Sequence, residues 1–174
     1  IINLTNSGYM SGYPHFALDG NAILFTTERY GMRAHASWGS LNDAMLVFLN
    51  QDAYDKYCLS KEDYELRKEL EKEQKKSAGK DTPQGKNKDK KKKYDKKDSN
   101  ADEKDDQPKD IVVELKGIED RVVRLTPNSS DMGSTIISKD GETLYYLAAF
   151  EGGYDLWKMN LRKKETKLLH KMDA

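Results

Sequence analysis

Ile136-Ile137-Ser138-Lys139-Asp140-Gly141-Glu142-Thr143-Leu144-Tyr145-Tyr146-Leu147 sets Asp-Gly between two apolar runs rich in β-branched and aromatic residues. This is a strong hairpin signal, because a type I′ turn needs positive φ at both central positions, which Asp-Gly tolerates. The same pattern stands 121 residues earlier, where Asp19-Gly20 separates Phe16 from Ile23-Leu24-Phe25. At that offset Leu4-Thr5 matches Leu125-Thr126, Phe16 matches Ile137, and Ile23 and Phe25 match Leu144 and Tyr146. Further on, residues 42–48 resume the match against 153–159. Asp43 lies 24 residues after Asp19 and Asp155 only 15 after Asp140, so the first copy holds nine extra loop residues.

Each copy therefore predicts a run of short strands. A third strand is expected at 44–49 and at 156–161, and a fourth at 121–125 and at 166–169. Leu125 to Leu168 is 43 residues, within the 40–45 typical of a four-stranded propeller blade. The expected fold class is all-β: part of a β-propeller, about two four-stranded blades, with a helical and disordered charged insertion. Residues 1–59 supply the first blade's first three strands, preceded by the end of another strand. Residues 60–110 form the insertion, and 111–174 the first blade's fourth strand and the second blade. Within the last segment, 111–115 is also expected to be strand. Two blades do not close a ring, since propellers need four to eight. The sequence thus reads as part of a larger chain, with an independently folded two-sheet β domain as the structural alternative.

The insertion dominates the composition. Thirty basic and thirty acidic side chains cancel, and the mean hydropathy is −0.91. Yet residues 72–109 alone hold 14 Lys, 9 acidic residues and three apolar ones (Ala78, Tyr94, Ala101), so the low hydropathy belongs to one tract. Such a tract cannot bury enough apolar surface to offset its ordering entropy, and should lack structure and be the first site cut by trypsin. Before it, 60–76 predicts a helix, with Ser60 and Asp63 as a capping box and Tyr64, Leu66 and Leu70 as a thin apolar stripe. No apolar run reaches the roughly 20 residues that span a bilayer. The chain begins at Ile1 without a signal-peptide pattern, which reads as a mature product or an excised piece.

Several stretches resemble a known family. Pro14-His15-Phe16-Ala17-Leu18-Asp19-Gly20-Asn21-Ala22-Ile23-Leu24-Phe25, with Glu28-Arg29-Tyr30-Gly31, resembles the P-x-F-x-x-D-G-x-x-I-x-F-x-S-x-R-x-G blade repeat of tricorn-type and TolB-type propellers. Leu115-Lys116-Gly117-Ile118-Glu119-Asp120-Arg121-Val122-Val123-Arg124-Leu125-Thr126-Pro127 resembles the GIEDRVVRL stretch of tricorn-like proteases. Tyr30-Gly31-Met32-Arg33 and Ser37-Trp38-Gly39-Ser40 are similar to the same family. The resemblance covers all but about 60–109, and the charged tract departs from it. It implies a large serine peptidase that degrades oligopeptides, with propellers gating a closed chamber and the catalytic residues in other domains. This segment would then be channel wall or scaffold. Its partners would be peptide substrates and the rest of the parent chain, with a homo-oligomer as an option. The implied compartment is the cytoplasm, with the periplasm as the alternative. The rival function is a TolB-like propeller that binds a partner protein and has no peptidase activity.

No catalytic, cofactor-binding or metal-ligating residue is assigned, and no cofactor is expected. His15, His35 and His170 lack the i, i+4 spacing of a zinc helix, and Cys58 has no cysteine partner. Ser37 and Ser40 lie outside any G-x-S-x-G elbow, so the loop is expected to anchor Trp38. Asp19 and Asp140 are accounted for by their turns, and Gly152-Gly153 leads into a strand, not into a phosphate-binding helix. Tyr145, Tyr146 and Trp157 read as packing between sheets, and Cys58 as a small buried or half-buried hydrophobe. The basic run 86–94 is diluted by acids to +5 across 72–109, and Tyr94 is its one aromatic, so it reads as a solvated tether and not a nucleic-acid arm.

Overall fold

The computed structural model describes residues 1–33, 39–78, 110–150 and 152–172. Two four-stranded antiparallel sheets form the framework. In the first, β1 (Ser11–Ala17), β2 (Ala22–Thr27), β3 (Asp43–Phe48) and β4 (Val122–Arg124) lie side by side in that order. In the second, β5 (Asp131–Ile137), β6 (Thr143–Ala149), β7 (Asp155–Asn160) and β8 (Glu165–His170) repeat the order. Each is a simple meander, except that the chain leaves β3 and returns to the same sheet as β4 after the insertion. Pro14 lies in β1, an edge strand, where a missing N–H costs no ladder bond. The register places Asp43 opposite Thr27 and Asp155 opposite Ala148, so these two aspartates are structural counterparts, which moves the match of residues 42–48 by one, onto 154–160.

The two Asp-Gly hairpins turn differently. Asp19 (φ 53°) and Gly20 (φ 83°) are both left-handed and Asn21 N–H reaches Leu18 C=O at 3.1 Å, as a type I′ turn requires. In the second, Gly141 N–H donates to Ser138 C=O at 2.8 Å and, within that turn, Gly141 alone has positive φ (73°). The expected I′ turn is therefore absent there. The Asp140 carboxylate instead accepts from Ser138 Oγ at 2.5 Å and from the Glu142 N–H at 2.9 Å, which holds Asp140 out of the left-handed region. Gly141 remains indispensable. Replacing it with Val should cost about 1–2 kcal/mol through left-handed strain alone. The new Cβ would also come within 2.7 Å of Leu18 Cδ2 and displace that side chain. An unchanged thermal midpoint would exclude this geometry.

Two helices follow β3. α1 (Gln51–Cys58) is capped by Asn50, whose side chain accepts from the Ala53 N–H at 2.9 Å. α2 (Lys61–Ala78) begins at Ser60, which accepts from the Asp63 N–H at 3.1 Å and donates to its carboxylate at 2.7 Å. The predicted helix is present, and it carries the first residues of the charged tract, 72–78, which were expected to be unstructured. Arg67 and Glu71, one turn apart at 3.4 Å, support it. The rest of the tract, 79–109, lies outside the described residues. The chain divides into two units, residues 1–64 with 111–174, and residues 65–110. No helix among the described residues is long and apolar enough to cross a membrane.

Residues 111–115 do not form the expected strand. β4 already occupies the free edge of β3, so only the Glu114 N–H finds a strand-end acceptor, Leu49 C=O at 2.8 Å. The segment instead hangs on Arg121, which is 3% exposed. Its guanidinium donates to the carbonyls of Phe48 (3.2 Å), Lys116 (3.0 Å) and Glu114. Gly117 makes the left-handed turn (φ 69°) and Ile118 enters the core.

The core lies in two layers. Ala22, Leu24, Leu46 and Phe48 of the first sheet pack against Leu144, Tyr146 and Met159 of the second, with Leu125 from the connecting segment. The opposite face of the first sheet, Phe25, Met45 and Val47, is covered by Ile118 and Leu4. Burial pushes the Tyr146 phenol above its ordinary value of 10.0. Its neutral form is therefore favoured by folding, and the associated stability is complete below pH 10 and lost as pH rises beyond it. Tyr146→Phe should flatten that alkaline decline in a denaturation series run between pH 8 and 12.

Candidate functional site

Among the described residues polar side chains gather at several places, two of them at the loops that join the strands of the core. The first is the crossing from β4 to β5. Asp43 is fully buried at the start of β3. Its Oδ1 accepts from Arg124 Nε (3.0 Å) and Nη2 (2.8 Å) and from Thr126 Oγ1 (2.9 Å), and its Oδ2 accepts from Ser129 Oγ (2.8 Å). Thr126 Oγ1 in turn accepts from the Ala44 N–H at 3.2 Å. The Arg124 guanidinium lies 5.0 Å from the Tyr30 ring centroid, within cation–π range. Both oxygens of this buried carboxylate have donors, so the cluster ties the connecting segment to the first sheet. It offers no free group to a substrate.

The second is a cleft of about 240 Å³ between the two Asp-Gly hairpins and α1, lined by Asp19, Asp140, Asp52, Lys56 and Arg162 among others. Its charges are mixed and largely engaged. Arg162 Nη1 donates to the carbonyls of Tyr57 (2.6 Å) and Leu59 (3.4 Å), capping the C-terminal end of α1, and its guanidinium stacks 3.9 Å from the Tyr64 ring centroid. Lys164 Nζ adds a bond to the Tyr57 hydroxyl at 2.6 Å. The root of the insertion is thus clamped to the turn between β7 and β8. Arg162→Ala should free it, costing about 1.5–3 kcal/mol locally because bonds from a charged donor are lost. Amide exchange across residues 51–58 should accelerate while β6 stays protected, and equal protection in both proteins would refute the clamp.

The histidines and the cysteine are dispersed. His15 Nδ1 lies 3.2 Å from the carbonyl of Tyr13 in β1, and His170 is exposed at the end of β8. His35, Ser37 and Trp38 lie outside the described residues, so the expected anchoring by Trp38 does too. Among the described residues no group of His, Cys, Asp and Glu is placed to hold a metal ion. Cys58 is exposed, which corrects the expectation of a buried or half-buried thiol: it is the last residue of α1, where the helix end leaves it open to solvent. Hydrogen bonding to Cys58 raises the Tyr54 phenol above its usual range. Trp157 and Tyr146 do pack within the second sheet's inner face, with Phe150 edge-on to Trp157 at 5.2 Å, whereas Tyr145 points to the other face. Asp43, Arg124 and Ser129 escaped sequence inspection because they meet only through pairing across more than 80 residues. No family model, curated protein or solved structure matches the chain.

Proposed function

We propose that this chain is a non-catalytic β-propeller segment of a tricorn-like serine peptidase, a wall or scaffold on the path by which oligopeptides reach a catalytic centre in other domains. The observation that carries the reading is the way the sheets stack. The two sheets present opposite faces to each other. Leu46 in the first sheet belongs to the face opposite Val47, and it shares one core cluster with Met159, which occupies in the second sheet the place of Val47. Contacts of this head-to-tail kind repeat, and they close into a ring when the rotation per step permits. Leu4 covers the first sheet as Leu125 covers the second, as a repeating unit requires. The family-like stretch 115–127 is also used throughout: Gly117 for its turn, Arg121 for three carbonyls, Arg124 and Thr126 for Asp43.

Protein isolated from its native source should hydrolyse fluorogenic oligopeptides, and a fluorophosphonate probe should label a serine outside these residues. Residues 1–174 alone should show no turnover above background. Turnover by that segment, abolished by His15→Ala or His35→Ala, would place the active site here. Absence of both labelling and hydrolysis in the native protein would leave the peptidase assignment without support.

A further inference from the structure

The registers assign the central residues of the second sheet counterparts in the first. Leu46 lies opposite Leu24 in β2 and Val123 in β4; Lys158 lies opposite Tyr145 in β6 and Lys167 in β8. Lys158 therefore stands where Leu46 stands, Lys167 where Val123 stands, and Tyr145 where Leu24 stands. Phe48 opposite Ala22 corresponds to Asn160 opposite Thr143. In the first sheet this is the face that docks on its neighbour, with Leu24, Leu46 and Phe48 all at 0% exposure. In the second sheet the equivalent face is open, and two lysines replace its central apolar pair.

That replacement is costly as it stands. Like charges directly opposite on neighbouring antiparallel strands repel. Lys163 borders the same hollow, of about 210 Å³, together with Asn160 and Thr143. Glu165 also lines it, but none of the three ammonium groups has a carboxylate within ion-pair reach among the described residues. Three cations against one carboxylate leave an unbalanced positive surface. Beside it Leu147 lies opposite Leu156, and Ile136 opposite Tyr145, which adds an apolar half to the same face. A surface with these two halves is complementary to a sheet face that carries carboxylates next to apolar side chains.

We infer that the open face of the second sheet, around Tyr145, Leu156, Lys158 and Lys167, docks an acidic β-sheet face from polypeptide outside these 174 residues, with carboxylates set against Lys158 and Lys167. This rests on the proposed reading of the chain as part of a stacked array, and it names the chemistry of the next contact. The partner's carboxylates would take the place that Leu144 and Met159 hold in the core cluster they share with Leu46. Dispersion packing would be replaced by charge-assisted bonds at the centre of the interface. The apolar half of the face would shield one side of them from water, which strengthens each pair.

The test uses protein from its native source, with two reagents. N-hydroxysuccinimidyl acetate reports whether each lysine is covered, and a water-soluble carbodiimide joins an amine to a carboxylate in contact with it. Lys158 and Lys167 should be acetylated at least about tenfold more slowly than Lys139, equivalent to about 1.4 kcal/mol of protection. Carbodiimide should couple them to Asp or Glu in peptides from outside residues 1–174, and Lys158→Gln with Lys167→Gln should remove those products. Protection without carboxylate coupling would overturn the acidic-partner inference while leaving the stacked array standing. Rapid acetylation of both lysines would overturn the inference and the array together. Coupling to acidic residues of a second copy of this chain would replace the inference with self-association.

Discussion

Phe48→Ala should destabilise the fold by about 3–5 kcal/mol, the usual cost of emptying a fully buried phenylalanine site. Phe48 ends β3 at 0% exposure. Its ring meets Tyr54 at 5.6 Å and Tyr57 at 5.1 Å, so one side chain joins the first sheet, the second sheet's core face and α1. The site cannot collapse readily, because Phe48 C=O is held by Arg121 and Leu49 N–H by the Asn21 carbonyl. Denaturant titration followed by circular dichroism measures the loss. α1 should lose amide protection in the same variant. The counterpart position gives the control: Asn160 is half-buried and serves the turn between β7 and β8 by accepting from the Arg162 and Lys163 N–H groups. Asn160→Ala should cost about 1 kcal/mol, a turn's hydrogen bonding and no cavity. Equal losses at the two positions would show that the two faces are not differently packed.

Asp43→Ala should cost about 2–4 kcal/mol, since it strands Arg124, Thr126 and Ser129 at once. Part of the penalty is relieved because the Arg124 side chain retains 34% exposure and can turn to water. Thr126 has less freedom, as it is fully buried, the Ala44 N–H depends on it and the Leu125 N–H is already spent on Ala44 C=O. Asp155, in the equivalent place, is half-buried and accepts from the Met172 N–H at 3.0 Å. Asp155→Ala should therefore cost less than about 1 kcal/mol, typical of a partly exposed position. A double-mutant cycle of Asp43→Ala with Thr126→Val should show coupling above about 0.5 kcal/mol, because the two side chains share one network. Strict additivity would mean that the cluster is not a unit.

Most of the strands are legible in the sequence because their signals are local. Alternation, β-branched residues and Asp-Gly turns specify β1, β2, β5 and β6 within a dozen residues each, and the repeat extends the inference to β3, β7 and β8. The α2 cap is local as well. α1 was not foreseen: eight residues with one Asn cap make a marginal helix, which becomes stable only when Tyr54 and Tyr57 find Phe48. Residues 111–115 show the reverse. They have strand propensity and no strand, because propensity cannot supply a partner once β4 has taken the edge of β3.

What the amino-acid sequence determined by itself was the repeat, the meander of four strands in each copy and the place where the charged insertion interrupts the first. These follow from chemistry within short windows. Only the tertiary structure decided the turn at Gly141, the burial of Asp43 under Arg124, Thr126 and Ser129, and which face of each sheet is covered. A buried carboxylate is satisfied by donors that sequence spacing leaves more than 80 residues away. The exchange of Leu46 for Lys158 becomes meaningful once strand register shows that they occupy the same place on equivalent faces, one closed and one open.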